Sequence, residues 1–167
     1  MNNTILLIGF MGAGKSTIGK ELALRLSYSF LDTDEMIERK EGREISQIFL
    51  QEGEETFRNM ETTLLKELNH VDKRVISLGG GMAIREENQK LMDALGSVIY
   101  LRARKDTIIK RLKGDRSRPL LKGERVEEKV ENLMKEREPI YEKAAHILVD
   151  TDGKTIKEIV EEIVGIL

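Results

Sequence analysis

The chain has 167 residues, of which 40% are hydrophobic and 35% charged, so we expect one folded domain with one sizeable core. The formal net charge of −2 gives no reason to expect a nucleic-acid partner, and the lack of cysteine excludes disulfides and thiol chemistry. No apolar run approaches the ~20 residues of a membrane span, and residues 1–4 lack the basic region of a signal peptide. We therefore expect a cytoplasmic protein without a membrane partner.

Short apolar runs alternate with longer amphipathic stretches along the chain. The apolar runs predict strands at Ile5–Gly9, Phe30–Asp32, Val75–Leu78, Val98–Leu101 and Ile147–Val149. The amphipathic stretches predict helices at Lys15–Ser27, Asp34–Lys40, Ile45–Glu52, Glu54–Asn69, Glu86–Leu95, Lys105–Leu112, Val126–Tyr141 and Ile156–Val164. This alternation predicts a doubly wound α/β domain, in which helices cover both faces of a parallel sheet. Ligands of such sheets bind beyond the carboxyl ends of the strands.

A complete phosphate-binding loop follows the first predicted strand. Residues 9–17 read Gly-Phe-Met-Gly-Ala-Gly-Lys-Ser-Thr, which matches the P-loop pattern G-x-x-x-x-G-K-[ST]. The glycines let backbone N–H groups surround a phosphate at the positive end of the following helix. Lys15 can reach the β- and γ-phosphates, and the Ser16 hydroxyl can ligate Mg²⁺. The pattern predicts nucleotide binding, and the alternative is a plain glycine turn between a strand and a helix.

Candidate polar groups also follow the second and third predicted strands. Asp32 and Asp34 could serve a metal ion and a substrate separately, and one of them could act as a base for an attacking hydroxyl. Asp34 could instead be only a helix N-cap. After the third strand, Gly79, Gly80 and Gly81 leave backbone N–H groups exposed and let a ligand approach closely, although they could also be a flexible turn.

Two arginines are candidates for binding a carboxylate, because the planar guanidinium group can donate two parallel hydrogen bonds. Arg58 has Glu61 three residues later on the same predicted helix, which could hold it in place or form only an exposed salt bridge. Arg137 precedes Pro139, and a proline after a helical run predicts a kink or a stop.

Residues 114–123 predict an exposed, mobile loop between two helices. The loop contains Arg116 and Arg118, and it could be a lid that excludes water and brings an arginine to the transferring phosphoryl group. A solvated linker is the alternative. Arg111, which precedes this loop, could pack on an adenine, contact a phosphate or be a solvated charge on its helix.

Taken together, these segments resemble the shikimate kinase family over essentially the whole chain. The resemblance is carried by residues 9–17, Asp-Thr-Asp at 32–34, Phe57-Arg58 with Glu61, the glycines at 79–81, Arg-Pro-Leu-Leu at 118–121, and Arg-Glu-Pro at 137–139 with Tyr141. Many nucleotide-binding enzymes share the P-loop alone, whereas the full ordered set is specific to this family. The resemblance implies a single domain over residues 1–167 with a three-layer P-loop NTPase fold. It also implies a five-stranded parallel sheet of order 2-3-1-4-5, a shikimate-binding region at about 33–61 and a mobile lid at about 112–124.

The resemblance implies that ATP phosphorylates the 3-hydroxyl of shikimate, giving shikimate 3-phosphate and ADP on the route to chorismate and the aromatic amino acids. The implied catalytic residues are Lys15, Asp34 and Arg118. The implied ATP-binding residues are Gly12, Ala13, Gly14, Lys15, Ser16, Thr17, Arg111 and Arg118, and the shikimate-binding residues are Asp34, Arg58, Gly79, Gly80, Gly81 and Arg137. One Mg²⁺ per subunit is implied, held directly by Ser16 and through water by Asp32. A monomer is implied as well.

The chain departs from the family in the segment that would contact adenine. An arginine followed by a proline is common there in the family, whereas this chain has Lys154 and Thr155. This leaves the adenine contacts and the nucleotide preference open. Two other functions remain: another small-molecule kinase of the same fold, such as a gluconate or nucleotide kinase, and a regulatory P-loop module without transfer activity. The two arginines with Asp34 favour a compact acceptor that carries a carboxylate.

Overall fold

The computed structural model describes residues 3–69, 72–113 and 125–167. The strands are β1 (Thr4–Ile8), β2 (Ser29–Asp32), β3 (Arg74–Ser77), β4 (Ser97–Arg102) and β5 (Ile147–Asp150). They form one five-stranded sheet in the order β2-β3-β1-β4-β5, and every neighbouring pair is parallel. This confirms the predicted sheet and its strand order.

Helices cover both faces of this sheet. They are α1 (Lys15–Leu26), α2 (Thr33–Glu41), α3 (Ile45–Glu67), α4 (Glu86–Leu95), α5 (Lys105–Leu112), α6 (Val126–Ala144) and α7 (Ile156–Ile166), with a 3₁₀ turn at Met82–Ile84. Side chains alternate along β1, so Leu6 and Ile8 lie in one apolar cluster while Ile5 and Leu7 lie in the other. The fold is therefore a three-layer α/β domain, as expected. Within the described ranges, we find no helix with the length and apolarity to cross a membrane.

The structure confirms the predicted break between the helices Ile45–Glu52 and Glu54–Asn69: α3 spans both segments, and Gly53 between them is non-helical at φ 84° and ψ 170°. The predicted helix Val126–Tyr141 is α6, which continues through Pro139 to Ala144, so the proline does not stop the helix. Burial explains the continuation: Tyr141, two residues after the proline, is fully buried against the sheet, which stabilises the last turn of the helix.

The predicted lid cannot be placed. Its first two positions, Leu112 and Lys113, are described, whereas Arg116 and Arg118 lie outside the described residues. The single domain over residues 1–167 and the mobile lid stay predictions.

Candidate active site

The carboxyl ends of β1, β2 and β3 open onto one cleft with a volume of about 740 Å³. Its lining includes every predicted site residue that the structure describes: Gly12, Ala13, Gly14, Lys15, Ser16, Thr17, Asp32, Asp34, Arg58, Gly79, Gly80, Gly81, Arg111 and Arg137. Arg118 is the predicted site residue that falls outside the described part of the chain. The fold thus brings residues from six separate segments to one place, at the sheet edge where the strand-end argument expects a ligand.

The P-loop occupies one end of the cleft. Gly12 and Gly14 have φ values of 79° and 91°, which residues with a Cβ rarely adopt. The Lys15 ammonium donates hydrogen bonds to the carbonyl oxygens of Gly9, at 2.8 Å, and Phe10, at 3.1 Å. It therefore lies across the loop, within reach of a phosphate bound there. Arg111 donates to the Gly12 carbonyl at 2.8 Å and so contacts the loop itself.

Oxygen atoms from Ser16, Asp32 and Ser77 meet beside the P-loop. The Ser16 hydroxyl donates to Asp32 Oδ2 at 2.6 Å, and its oxygen lies 3.4 Å from the Ser77 hydroxyl oxygen. Asp32 Oδ1 accepts hydrogen bonds from the backbone N–H groups of Asp34 and Glu35, at 3.0 and 3.3 Å. Asp32 is therefore the N-cap of α2, and the interpretation of Asp34 as that cap is wrong.

This oxygen set suits a small, hard cation. Among the residues that the structure describes, no group of three or more His, Cys, Asp or Glu side chains is arranged to hold a metal ion. One carboxylate with two hydroxyls nevertheless fits Mg²⁺, which keeps several waters and takes phosphate oxygens as ligands instead of a complete protein cage. The sequence analysis did not predict Ser77. Like Asp32, it is a polar residue at the carboxyl end of a strand, so the same criterion could have found it.

Asp34 lies farther into the cleft, close to Gly79. A Cβ on Gly79 would come within 2.8 Å of Asp34 Oδ1 and 2.9 Å of Glu61 Oε1, so the two carboxyl groups reach the same side of this glycine. The buried Thr33 hydroxyl donates to the Ser77 carbonyl at 3.3 Å and accepts from the Gly79 N–H at 2.9 Å. The predicted exposure of backbone donors is therefore wrong for Gly79, whose N–H is already bonded.

Arg58 is held by two carboxylates of its own helix. Its Nη1 donates to Glu61 Oε2 at 2.8 Å and its Nη2 to Glu54 Oε1 at 3.3 Å. Glu61 is only 1% exposed, which excludes the alternative of an exposed Arg58–Glu61 salt bridge. A Cβ on Gly81 would overlap the Arg58 guanidinium. A side chain at position 81 would therefore displace the Arg58 guanidinium, whereas the backbone of Gly81 is not left-handed.

Arg137 enters the same pocket from α6. It is buried, its guanidinium carbon lies 5.9 Å from the centre of the Phe10 ring, and its Nε has no hydrogen-bond partner among the described residues. One turn later, the Tyr141 hydroxyl donates to the carbonyl of Gly80 and fixes the glycine turn against α6. Arg137 therefore has a buried Nε–H group that bonds to nothing within the described residues, and it lies beside the Gly80 backbone that Tyr141 holds in place.

The electrostatics of this pocket depend on Glu61. Burial raises the pKa of Glu61 to about 7, and the positive charges of Arg58 and Arg137 only partly oppose that effect. Burial also raises the pKa of Tyr141 to about 12, so its hydroxyl keeps its proton. Near neutral pH the pocket thus holds less negative charge than its carboxyl groups suggest. Two arginines beside a partly neutralised Glu61 favour an anionic ligand.

The far end of the cleft is lined by residues from the loop after β5 and from α7. Lys154 donates to Glu162 at 2.6 Å, and the Thr155 hydroxyl accepts from the Glu158 N–H at 3.2 Å as the N-cap of α7. Both residues that depart from the family pattern are thus engaged within the protein. Ile156, which sequence reasoning did not single out, is 40% exposed and lines this end of the cleft.

Comparisons with known proteins agree with one another. A family model described as shikimate kinase matches residues 11–167. A shikimate kinase of Thermodesulfovibrio yellowstonii is 43% identical over 160 residues, which cover 96% of this chain and 92% of that protein. A shikimate kinase of Dictyoglomus turgidum is 44% identical over 168 residues, which cover 98% of this chain and 96% of that protein.

Solved structures give the same result. The structure of Acinetobacter baumannii shikimate kinase in complex with shikimate has a TM-score of 0.95 and 37% identity, covering 99% of this chain and 93% of that chain. The Aquifex aeolicus shikimate kinase has a TM-score of 0.84 and 40% identity, covering 96% of this chain and 94% of that chain. A gluconokinase from Sinorhizobium meliloti, at a TM-score of 0.57 and 14% identity over 98% and 90% of the two chains, shares the fold alone.

Proposed function

This chain belongs to the shikimate kinase family, and we propose that its cleft transfers the γ-phosphoryl group of ATP to the 3-hydroxyl of shikimate. The products are ADP and shikimate 3-phosphate, on the route to chorismate. The observation that carries the proposal is the group of Arg58, Glu61, Arg137 and Asp34, which shares one cleft with the P-loop and in which Glu61 and Arg137 are buried. It offers two cationic groups for a carboxylate and a carboxylate for hydroxyls, which are the groups that shikimate presents.

The P-loop binds the triphosphate in this proposal. Its backbone N–H groups and the N-terminus of α1 surround the β-phosphate, and Lys15 exchanges its carbonyl acceptors for phosphate oxygens. Lys15 then stabilises the charge that develops during transfer. Arg118 is proposed to do the same from the lid. Arg111 supports the loop through the Gly12 carbonyl.

Ser16 is the proposed direct ligand of Mg²⁺, with Asp32 contributing through water. The hydrogen bond between these residues and the nearby Ser77 hydroxyl support this assignment, because together they supply only hard oxygen donors. When bound, Mg²⁺ neutralises charge on the β- and γ-phosphates. The hydrogen bond between Ser16 and Asp32 orients their oxygen atoms before the nucleotide binds.

Arg58 and Arg137 are the proposed partners of the shikimate carboxylate. Two observations support this assignment: Arg137 Nε is buried without a hydrogen-bond partner in the described part of the chain, and Arg58 is held by Glu61 and Glu54 close to Gly81. Asp34 accepts hydrogen bonds from the hydroxyls and receives the proton of the attacking 3-hydroxyl. The N–H groups of Gly80 and Gly81 remain candidate donors to the substrate. A substrate that lacks the carboxylate cannot accept the charged hydrogen bonds that Arg58 and Arg137 would donate, and is rejected.

ADP release from Mg·ATP tests the reaction, with shikimate, quinate, gluconate and AMP as parallel acceptors. We expect strong stimulation by shikimate alone. Asp34→Asn keeps the shape of the side chain and should lose most of that stimulation while still binding ATP, because it cannot take the proton. Stimulation by another acceptor would keep the kinase site and overturn the acceptor. ATP binding without stimulation by any acceptor would instead favour the regulatory module.

We further propose one Mg²⁺ per subunit, a monomer in the cytoplasm, and ATP and shikimate as the partners, without nucleic acid or membrane. Light scattering of the purified chain, with and without ATP and shikimate, measures the oligomeric state. A mass of 19.1 kDa would agree with a monomer.

A further inference from the structure

Arg85 links the segment after the glycine turn at 79–81 to α3 through hydrogen bonds. It lies between the Met82–Ile84 turn and α4, outside the lining of the cleft. Its guanidinium donates to three acceptors on α3: Glu55 Oε1 at 2.7 Å, Asn59 Oδ1 at 2.9 Å and Thr62 Oγ1 at 3.4 Å. These acceptors are four and three residues apart, so they lie on one face of the helix. One side chain therefore contacts about two turns of α3.

The part of α3 that Arg85 contacts is the part that carries Arg58. The Thr62 hydroxyl accepts from Arg85 and also donates to the backbone carbonyl of Arg58 at 3.2 Å. From the other direction, Arg85 follows Gly81 by a single 3₁₀ turn, and Gly81 packs directly against the Arg58 guanidinium. Arg85 is thus linked to Arg58 through both the helix and the glycine turn.

Other contacts of Arg58 cannot supply this link. Its ion pairs with Glu54 and Glu61 both lie within α3, so they orient the guanidinium but do not fix the helix relative to the turn. The regular backbone of α3 is also interrupted at Gly53, so residues 45–52 do not continue as a regular helix into the segment that carries Arg58. The spacing between Arg58 and Gly81 therefore depends on contacts that cross between α3 and the turn.

We propose that Arg85 is a positioning residue for shikimate, which sets where Arg58 meets the carboxylate of the acceptor. The inference rests on the proposed function, because it assigns Arg85 to the binding of that acceptor. A displacement of about 1 Å at a binding group can cost up to about 100-fold in rate, so a contact outside the cleft can control the affinity inside it.

Arg85→Gln tests this role, since it removes the charged, forked donor but keeps a polar side chain. We expect the KM for shikimate to rise about tenfold, with kcat and the KM for ATP changed less than about twofold. Arg85→Lys keeps the charge and one donor group, so it should restore part of the affinity. Kinetics with each substrate varied in turn, together with calorimetry of shikimate binding without nucleotide, measure these effects.

The matched control is Lys66→Gln. Lys66 and Glu87 form an ion pair at 2.5 Å that also joins α3 to α4, but both side chains are more than half exposed, and within the described ranges neither forms a hydrogen bond with Arg58 or Arg85. This variant should leave both KM values unchanged. Asn59→Ala removes an acceptor of Arg85 without changing the arginine, and it should also raise the KM for shikimate. It provides a second test if Arg85→Gln does not fold.

An unchanged KM for shikimate in the folded variants would overturn the inference. So would equal increases in the KM for shikimate and the KM for ATP together with a lower Tm, because a general loss of structure would explain them. A native chain that releases no ADP in response to shikimate would give a different result: it would overturn the proposed function, and this inference with it.

Discussion

Glu61 shows how burial and an ion pair act on one carboxyl group. One of its oxygens accepts from Arg58, while Oε1 is buried without a hydrogen-bond partner among the described residues. Its pKa is about 7 in the folded protein, against 4.5 for the ordinary carboxyl group. The folded state therefore holds this proton more tightly than the unfolded state does. Stability from this group is complete below pH 4.5 and is lost as the pH rises through 7.

Glu61→Gln should reduce this pH dependence. For the native chain, we expect this group to lower the free energy of unfolding by roughly 2–3 kcal/mol between about pH 5 and pH 8. The variant should show a smaller decrease, because glutamine does not titrate. Urea unfolding at several pH values measures the difference. Glu54→Gln removes the exposed partner of Arg58 and is the control that should keep the native slope. Parallel curves for the native chain and Glu61→Gln would contradict the assignment.

Gly81→Ala should act on shikimate and not on the nucleotide. The added Cβ overlaps the Arg58 guanidinium, so the arginine must move away from the glycine turn. We expect the KM for shikimate to rise about tenfold while ATP binding is retained. Gly165→Ala is the control, because a Cβ at that position in α7 meets nothing within 4 Å. Equal KM values for shikimate in both variants would show that Arg58 tolerates the methyl group.

At the scale of elements, Gly53 divides α3. Its backbone, at φ 84° and ψ 170°, lies in a region that is almost restricted to glycine. Gly53→Ala should therefore lower the free energy of unfolding by roughly 1–3 kcal/mol. Urea unfolding measures this loss, again with Gly165→Ala as the control, which should be neutral or slightly stabilising. A more stable Gly53→Ala protein would mean that α3 becomes continuous when the glycine is absent.

The sequence predicts the elements whose cause is local. The apolar runs, the P-loop and the paired carboxylates after β2 each depend on neighbouring residues, and the structure places them as expected. The sequence left open whether Pro139 kinks or stops its helix, because the continuation depends on burial of Tyr141 against the sheet. Thr33 and Arg85 could not be found in this way, since their partners are 46 and up to 30 residues away in the chain.

At the scale of the whole molecule, the two arginines of the acceptor end come from elements that carry none of the proposed Mg²⁺ ligands, although α2 begins at the metal site and also carries Asp34. Ser16 and Asp32 lie at the starts of α1 and α2, whereas Arg58 and Arg137 come from α3 and α6. Removal of Mg²⁺ with EDTA should therefore abolish ADP release but change shikimate affinity less than about twofold. Calorimetry of shikimate binding with and without EDTA measures this. A large loss of affinity would show that the metal site and the acceptor site are coupled.

The two carboxylate oxygens of Asp32 make two separate contacts. Its Oδ2 accepts from Ser16 at the start of α1, and its Oδ1 caps α2, the helix that carries Asp34. Natural selection therefore acts on position 32 through both contacts, the one with Ser16 and the one with the N-terminus of α2. Natural variation cannot improve one contact without risking the other, because few side chains besides aspartate present two acceptor oxygens at this length. Position 32 should be among the slowest to diverge, whichever of the two contacts matters more to the cell.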